Sequence, residues 1–144
     1  RVFSLRQEFS NAFNRLVEAA AGTPVTIGIN DRHFPLFLQG RGLTVAKATM
    51  VLAVADRNPV GAFAMAINGT AVNGFSNPTN PASPGDVLGG LPMKSLGGAF
   101  AAGLKRQHTI SVGAAGSLAA APATGSLLAP DRIRDIFLVI DYRL

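Results

Sequence analysis

The stretch that decides the fold is the terminal one, Asp131-Arg-Ile-Arg-Asp-Ile-Phe-Leu-Val-Ile-Asp-Tyr-Arg-Leu144. Side chains alternate along a strand, so one face carries Ile136, Leu138, Ile140 and Tyr142. The opposite face carries Phe137, Val139 and Asp141. Apolar side chains on both faces indicate a strand that is covered on both sides, and such strands lie inside a sheet rather than at its edge. We therefore expect the last strand to be central.

Short apolar segments separated by turn signals precede this strand. Alternation or apolar content predicts strands at residues 2–5, 24–30, 34–38, 43–55, 61–72 and 105–112, and weaker ones at 87–88 and 99–100. The long segment 43–55 changes its apolar face near residues 46–48, which indicates a β-bulge. Asn68-Gly69 is typical of a hairpin turn. Residues 73–86 and 113–129 are predicted as loops or small-residue segments.

One amphipathic helix is predicted between residues 6 and 21. Its apolar residues Phe9, Phe13, Leu16 and Val17 recur at helical spacing, and Gly22 is expected to end it. About seven or eight strands and one N-terminal helix predict a mainly β protein, an antiparallel β-sandwich. Residues 1–144 suit a single domain, and the first and last strands can lie close together.

Composition narrows the function classes. Hydrophobic residues make up 48% of the 144 residues and charged residues only 15%, which indicates an ordered domain with some surface covered by a partner or by a neighbouring domain. Cysteine is absent, and this excludes a disulfide scaffold, a thiolate zinc site and a cysteine nucleophile. No apolar run reaches the about eighteen residues of a membrane span. The chain begins at Arg1 without an initiator Met, so we expect it to be excised from a larger protein.

The net charge of +5 comes from scattered basic residues. Nucleic-acid binding calls for a clustered basic stripe with stacking aromatics, so we expect no nucleic-acid partner. The carboxylates Asp31, Asp56 and Asp86 lie in predicted turns, and no Gly-x-Ser-x-Gly motif is present. The two histidines, His33 and His108, lack the spacing of a metal site. We expect neither catalysis nor a cofactor nor a metal.

Binding loops are the remaining candidates. The predicted loop residues that can contact a ligand are Asn73, Phe75, Asn77, Asn80, Ser117 and Ser126. Arg32 and Arg41 are candidate basic contacts. Sugar binding on a β-sandwich usually relies on exposed Trp or Tyr, whereas this chain has nine Phe, one Tyr and no Trp. A protein-interaction module is therefore the first hypothesis, and a receptor- or glycan-binding module is the alternative.

Three blocks together resemble a known family: Phe3-Ser-Leu-Arg-Gln-Glu-Phe9, the run from Asp31 to Arg41 with Leu43-Thr-Val45, and Ile133 to Tyr142. Their order is similar to the C-terminal region of the A subunit of bacterial insecticidal Tc toxin complexes. The blocks cover about half of the chain, and residues 59–130 match nothing in the pattern. Ser10 stands where the family usually has Pro, and His33 where an Arg usually precedes Phe-Pro. The helix also lacks the family's Trp or Tyr.

The resemblance implies a β-rich docking module that engages the B/C cocoon and has no active site. It also implies a secreted or extracellular bacterial assembly with a role in virulence. Partners would be another protein or neighbouring domains of the assembly, with a cell-surface receptor or glycan as the alternative. Homo-oligomerisation would occur through the parent protein.

Overall fold

The computed structural model describes residues 1–55, 62–75, 91–119 and 128–144 of the chain. The strands in that part of the chain are β1 (Val2–Ser4), β2 (Val25–Gly28), β3 (Thr44–Val54), β4 (Ala64–Ile67), β5 (Thr70–Asn73), β6 (Met93–Ser95), β7 (Gln107–Ala114) and β8 (Ile133–Arg143). The helices are α1 (Leu5–Glu8) and α2 (Ser10–Glu18). Short 3-10 helices lie at Asp31–His33, Leu36–Leu38 and Gly116–Leu118.

Two antiparallel sheets of four strands form the predicted β-sandwich. The first sheet has the order β1-β8-β3-β6 and the second the order β2-β7-β4-β5. The turn at Asn68 and Gly69 joins β4 to β5, and both residues have the positive φ angles, 50° and 78°, that such hairpins need. The register of β3 against β8 shifts between Val45 and Lys47, where the bulge was predicted.

Strand β8 is central, as its sequence predicts. It pairs with β1 on one side and along almost all of β3 on the other. Phe3 and Met50 flank Leu138 in register, and none of these three side chains is exposed. The backbone of Arg1 also exchanges two hydrogen bonds with Ile140, so the two ends of the chain lie side by side.

Coverage of β8 differs between its two faces. Ile136, Leu138 and Ile140 are fully buried in the core between the sheets. Phe137 and Val139, on the other face, are only half-buried. The strand was expected to be covered on both faces, and the second face is covered only in part, because a strand can be central in an antiparallel sheet whose outer face is partly open.

The predicted helix at residues 6–21 is shorter and divided. Phe9 has φ −135° and ψ 50°, which separates α1 from α2, and α2 ends at Glu18 rather than at Gly22. The ring of Phe9 packs against Phe3 and His33, at centroid distances of 6.3 Å and 5.2 Å. The residue that interrupts the helix is thus one whose side chain packs against two other rings. The apolar face of α2 is nevertheless the predicted one, and Phe13, Leu16 and Val17 are buried.

Two predicted strands are wrong. Residues 34–38 contain a 3-10 helix at Leu36–Leu38 instead of an extended strand. Residues 99–100 lie in successive turns, because Gly97 and Gly103 take positive φ angles of 52° and 112° that bend the chain on both sides. The strand of this region is β6, which pairs with β3.

The predicted loops are described only in part. The predicted strand at 87–88 and most of the loop 73–86 lie outside the described residues. At the segment 113–129, the described ends form an isolated bridge between Ala119 and Leu128. Leu118 and Leu128 are buried there, so both ends of this segment are joined to the core.

Candidate interaction surface

The segment from residue 31 to residue 41 crosses the end of the sandwich between β2 and β3; we call it the 31–41 segment. Its first 3-10 helix, Asp31–His33, is capped at its N-terminus by two reciprocal hydrogen bonds. The Asn30 side chain accepts a hydrogen bond from the Arg32 N–H at 3.2 Å, and the His33 Nδ1 accepts one from the Asn30 N–H at 3.1 Å. Such reciprocal bonds satisfy backbone groups that a short helix leaves free, so the backbone is held without a sheet partner.

The second 3-10 helix of the segment turns one pair of apolar residues outward. Pro35 precedes it, and the N–H groups of Leu38 and Gln39 donate to the carbonyls of Pro35 and Leu36, at 2.9 Å and 3.2 Å. Leu38 is buried in the core. Leu36 is 83% exposed and Phe37 is 73% exposed, more than any other large apolar residue in the described part of the chain. An adjacent exposed pair of this size is typical of a contact surface.

Lys105, which lies just before β7, anchors the 31–41 segment. Its ammonium group donates to the Asp31 carboxylate at 2.5 Å and to the carbonyls of Leu38 and Arg41, each at 2.8 Å. It also lies 5.4 Å from the centroid of the Phe34 ring, within the range of a cation–π contact. One cation therefore joins the beginning, middle and end of the segment.

Aromatic packing holds the segment from below. Phe34 is 4% exposed, and its ring meets those of Phe3 and Tyr142 edge to face at 6.0 Å and 5.3 Å. The His33 ring packs against the Phe9 ring in a tilted arrangement, with the ring centroids 5.2 Å apart. These contacts connect the segment to β1, to β8 and to the break between the helices. The backbone below Leu36 and Phe37 is thus fixed by packing as well as by hydrogen bonds.

The electrostatics of the segment leave a positive rim. Hydrogen bonds from Lys105 and from the Gly40 backbone lower the pKa of Asp31 below its ordinary value of 3.8, against a small opposing effect of burial. The Asp31 carboxylate is therefore ionised at neutral pH, and its charge is balanced by Lys105. Arg32 and Arg41 are both exposed and lie on either side of Leu36 and Phe37 in the chain. The sequence predicts these two arginines as candidate basic contacts.

The remaining predicted site residues do not gather with them. Asn73 is exposed at the end of β5, and Ser117 lies in the last 3-10 helix. Phe75 is half-buried, and its ring packs edge to face against the Phe63 ring with the centroids 5.5 Å apart. This ring therefore contacts the protein's own core. Asn77, Asn80 and Ser126 lie outside the described residues.

Sequence reasoning missed Leu36, Phe37 and Lys105. The apolar run 34–38 was interpreted as a strand, although Pro35 in its second position opposes pairing in a sheet. That proline was the available signal for an exposed turn. Lys105 had no such signal, because it is 74 residues away from the aspartate that it binds.

A second polar cluster surrounds His108, which is fully buried in β7. Its Nε2 donates to the Leu104 carbonyl at 2.7 Å, and its Nδ1 accepts from the Asn68 amide at 2.9 Å. The same amide donates to Ala99 O at 2.8 Å and accepts from Thr109 N–H at 3.1 Å. These contacts define a neutral imidazole that joins the β4–β5 turn to the loop before β7.

Burial lowers the pKa of His108 below its ordinary value of 6.5; the bond to the Leu104 carbonyl opposes this shift and nearby Arg106 adds to it. A lowered pKa in the folded state means that the unfolded chain binds a proton more readily. We expect His108 to add no pH dependence to the free energy of unfolding above pH 6.5, and we expect that free energy to fall as the pH drops from 6.5 towards the lowered pKa. Urea unfolding between neutral and acidic pH measures this effect.

The control for that experiment is His108→Gln, which removes the titrating group while keeping an amide that can hydrogen bond. We expect a lower stability for this variant at neutral pH and a weaker pH dependence below 6.5. Asp31 titrates below 3.8 and therefore does not overlap this window. Parallel pH profiles for the two proteins would contradict the assignment of His108 as the titrating group.

No family model matches the chain, and no curated protein or solved structure matches it. Within the described ranges, no three histidine or carboxylate side chains are grouped so that they could hold a metal ion. No helix in that part of the chain is long and apolar enough to cross a membrane.

Proposed function

We propose that this chain is a non-catalytic protein-docking module of a large toxin-like or secreted bacterial assembly, and that it binds its partner through Leu36 and Phe37. The observation that carries the proposal is the exposure of these two side chains on a backbone anchored by Lys105 and Phe34. Large apolar residues that folding leaves in water are stabilised when another surface covers them.

The free energy of burying a few apolar side chains is large enough for docking by a small number of residues. Fully burying one large apolar side chain contributes about 1.5–3 kcal/mol. Binding also costs conformational entropy, and this cost is smaller when the contact segment is already ordered. The capped 3-10 helices and the Lys105 bonds supply that order before any partner arrives. Leu36 and Phe37 therefore have the properties of anchor residues.

The resemblance to the Tc toxin A subunit suggests the B/C cocoon as the partner. Its three sequence blocks contact one another through Phe3, Phe34 and Tyr142, which lie in β1, the 31–41 segment and β8. Residues that define a shared structural unit are expected to pack in this way. The contact supports the view that the blocks belong to one module, with the 31–41 segment at its surface.

The test is a binding measurement of the 144-residue chain against a purified B/C cocoon, using biolayer interferometry. Leu36→Ser with Phe37→Ser is expected to weaken binding by about 100-fold, because two anchors lose their apolar contacts. The melting temperature should change by less than about 2 °C, since both side chains are solvent-exposed.

The matched control is Leu144→Ser, which changes another exposed apolar residue, 67% exposed, and should leave binding unaltered. Equal binding by the double variant and the unchanged chain would contradict docking through this surface. Binding to a glycan array that survives the double substitution would favour the receptor- or glycan-binding alternative instead.

A further inference from the structure

We infer that the 31–41 segment recognises an acidic protein surface, in which apolar side chains cover Leu36 and Phe37 while carboxylates pair with Arg32 and Arg41. This inference rests on the proposed docking function and names the chemistry of the partner. Its basis is the arrangement of charge around the exposed apolar pair.

Two acidic groups at or beside the segment are already paired. Asp31 is bound by the Lys105 ammonium group, and Glu8 forms an ion pair with Arg1 while accepting a hydrogen bond from the Ser4 N–H at 3.0 Å. No ion pair within the described residues involves Arg32 or Arg41. Two paired acids and two unpaired arginines leave the rim of this surface positive.

The two arginines also lie on either side of the apolar pair in the chain. Arg32 lies four residues before Leu36, and Arg41 lies four residues after Phe37. Their backbones are fixed, because the Arg32 N–H donates to Asn30 and the Arg41 carbonyl accepts from Lys105. An apolar centre with a charged rim is the usual organisation of a protein interface. Arginine at such a rim pairs with carboxylates through two parallel hydrogen bonds.

Other occupants fit this surface less well. In a twofold contact between two copies the patch would face itself, so Arg32 and Arg41 would meet like charges. A nucleic acid needs a longer basic stripe with several stacking aromatics, whereas Phe37 is the one largely exposed aromatic among the described residues. At an anionic membrane, two cations alone provide only a weak electrostatic attraction. An acidic protein surface uses both the apolar pair and the arginines.

The experiment selects random peptides displayed on phage against the 144-residue chain and measures the binding of the enriched peptides by fluorescence anisotropy. We expect the enriched peptides to combine large apolar residues with Asp or Glu. Arg32→Glu with Arg41→Glu should weaken their binding by at least about tenfold, and raising the salt concentration should weaken binding to the unchanged chain.

The matched control reverses two exposed arginines elsewhere, Arg15→Glu with Arg134→Glu. It has the same net charge as the test variant, so an effect of overall charge would appear in both. Arg134 lies near the start of β8, at the end opposite to Tyr142 and the 31–41 segment. Binding by this control close to that of the unchanged chain supports recognition by Arg32 and Arg41 in particular.

The remaining outcomes separate the two proposals. Two outcomes would contradict the acidic partner and leave the docking function supported. The enriched peptides could require Leu36 and Phe37 but carry no acidic residues, or they could bind the arginine-reversal variant as well as the unchanged chain. Peptide binding that is unchanged by Leu36→Ser with Phe37→Ser would argue against the docking function itself. Binding to anionic phospholipid vesicles that requires Leu36 and Phe37, with no peptide enriched, assigns the surface to a membrane and overturns the inference.

Discussion

Leu138→Ala is expected to lower the free energy of unfolding by about 2–5 kcal/mol. Leu138 is fully buried in β8, between Phe3 of β1 and Met50 of β3, which are buried as well. Removing its outer carbons leaves a cavity in the core between the two sheets, and neighbours held by two flanking strands cannot collapse into it. Urea or thermal unfolding monitored by circular dichroism measures the change.

Val139→Ala is the comparison that isolates this effect. The two residues are adjacent in β8, but Val139 points to the other face and is half-buried, next to Thr49 and the 48% exposed Val2. We expect it to cost about 1 kcal/mol or less, as half-exposed substitutions usually do. A loss below about 1 kcal/mol for Leu138→Ala would mean that β8 is peripheral to the core.

The central position of β8 was predictable because its signal is local. Consecutive apolar residues from Ile136 to Ile140 place apolar side chains on both faces of the strand, which identifies an inner strand without any knowledge of its partners. The turn at Asn68-Gly69 was predictable for the same reason, since its geometry depends on two residues alone. The unequal coverage of the two faces of β8 was not, because it depends on what packs against them from elsewhere.

The candidate interaction surface was harder to predict from the sequence. Arg32 and Arg41 were identified, but their partners in a contact, Leu36 and Phe37, were placed in a strand. Their exposure follows from the bonds of Lys105, which come from a distant part of the chain and hold the segment in turns. Local propensity carries no information on such a bond, and an apolar run is ambiguous until its neighbours are known.

A second large effect on stability is expected at Asp135, a buried carboxylate in β8 that is 7% exposed. Its Oδ1 accepts from the N–H groups of Arg6 and Ile136 at 2.9 Å and 2.7 Å, and its Oδ2 accepts from the Ser4 hydroxyl. Ser4 in turn caps α1 by accepting from the Gln7 N–H at 3.1 Å. Asp135 therefore fixes the junction between β1, α1 and β8.

Asp135→Ala is expected to cost about 2–4 kcal/mol, because it leaves three donors without their acceptor in a site that is largely closed to water. Denaturant unfolding gives the value. Asp135→Asn is the matched variant, since its single oxygen can still serve the two N–H groups while the Ser4 hydroxyl reorients to accept from the amide. It should cost about half as much. Equal losses for the two variants would contradict a role for the hydrogen bonds.

The coupling of Asp135 to Ser4 separates a hydrogen-bond network from simple packing. If the hydroxyl acts through the carboxylate, Ser4→Ala and Asp135→Ala together should cost less than the sum of the single losses, by about 1 kcal/mol or more. Ser4→Ala alone also removes the cap of α1, worth about 1 kcal/mol. Strict additivity in the double-mutant cycle would mean that the two residues stabilise the fold independently. A coupling of this size would instead mean that Ser4 and Asp135 act together to hold α1 against β8. The same strand carries Leu138.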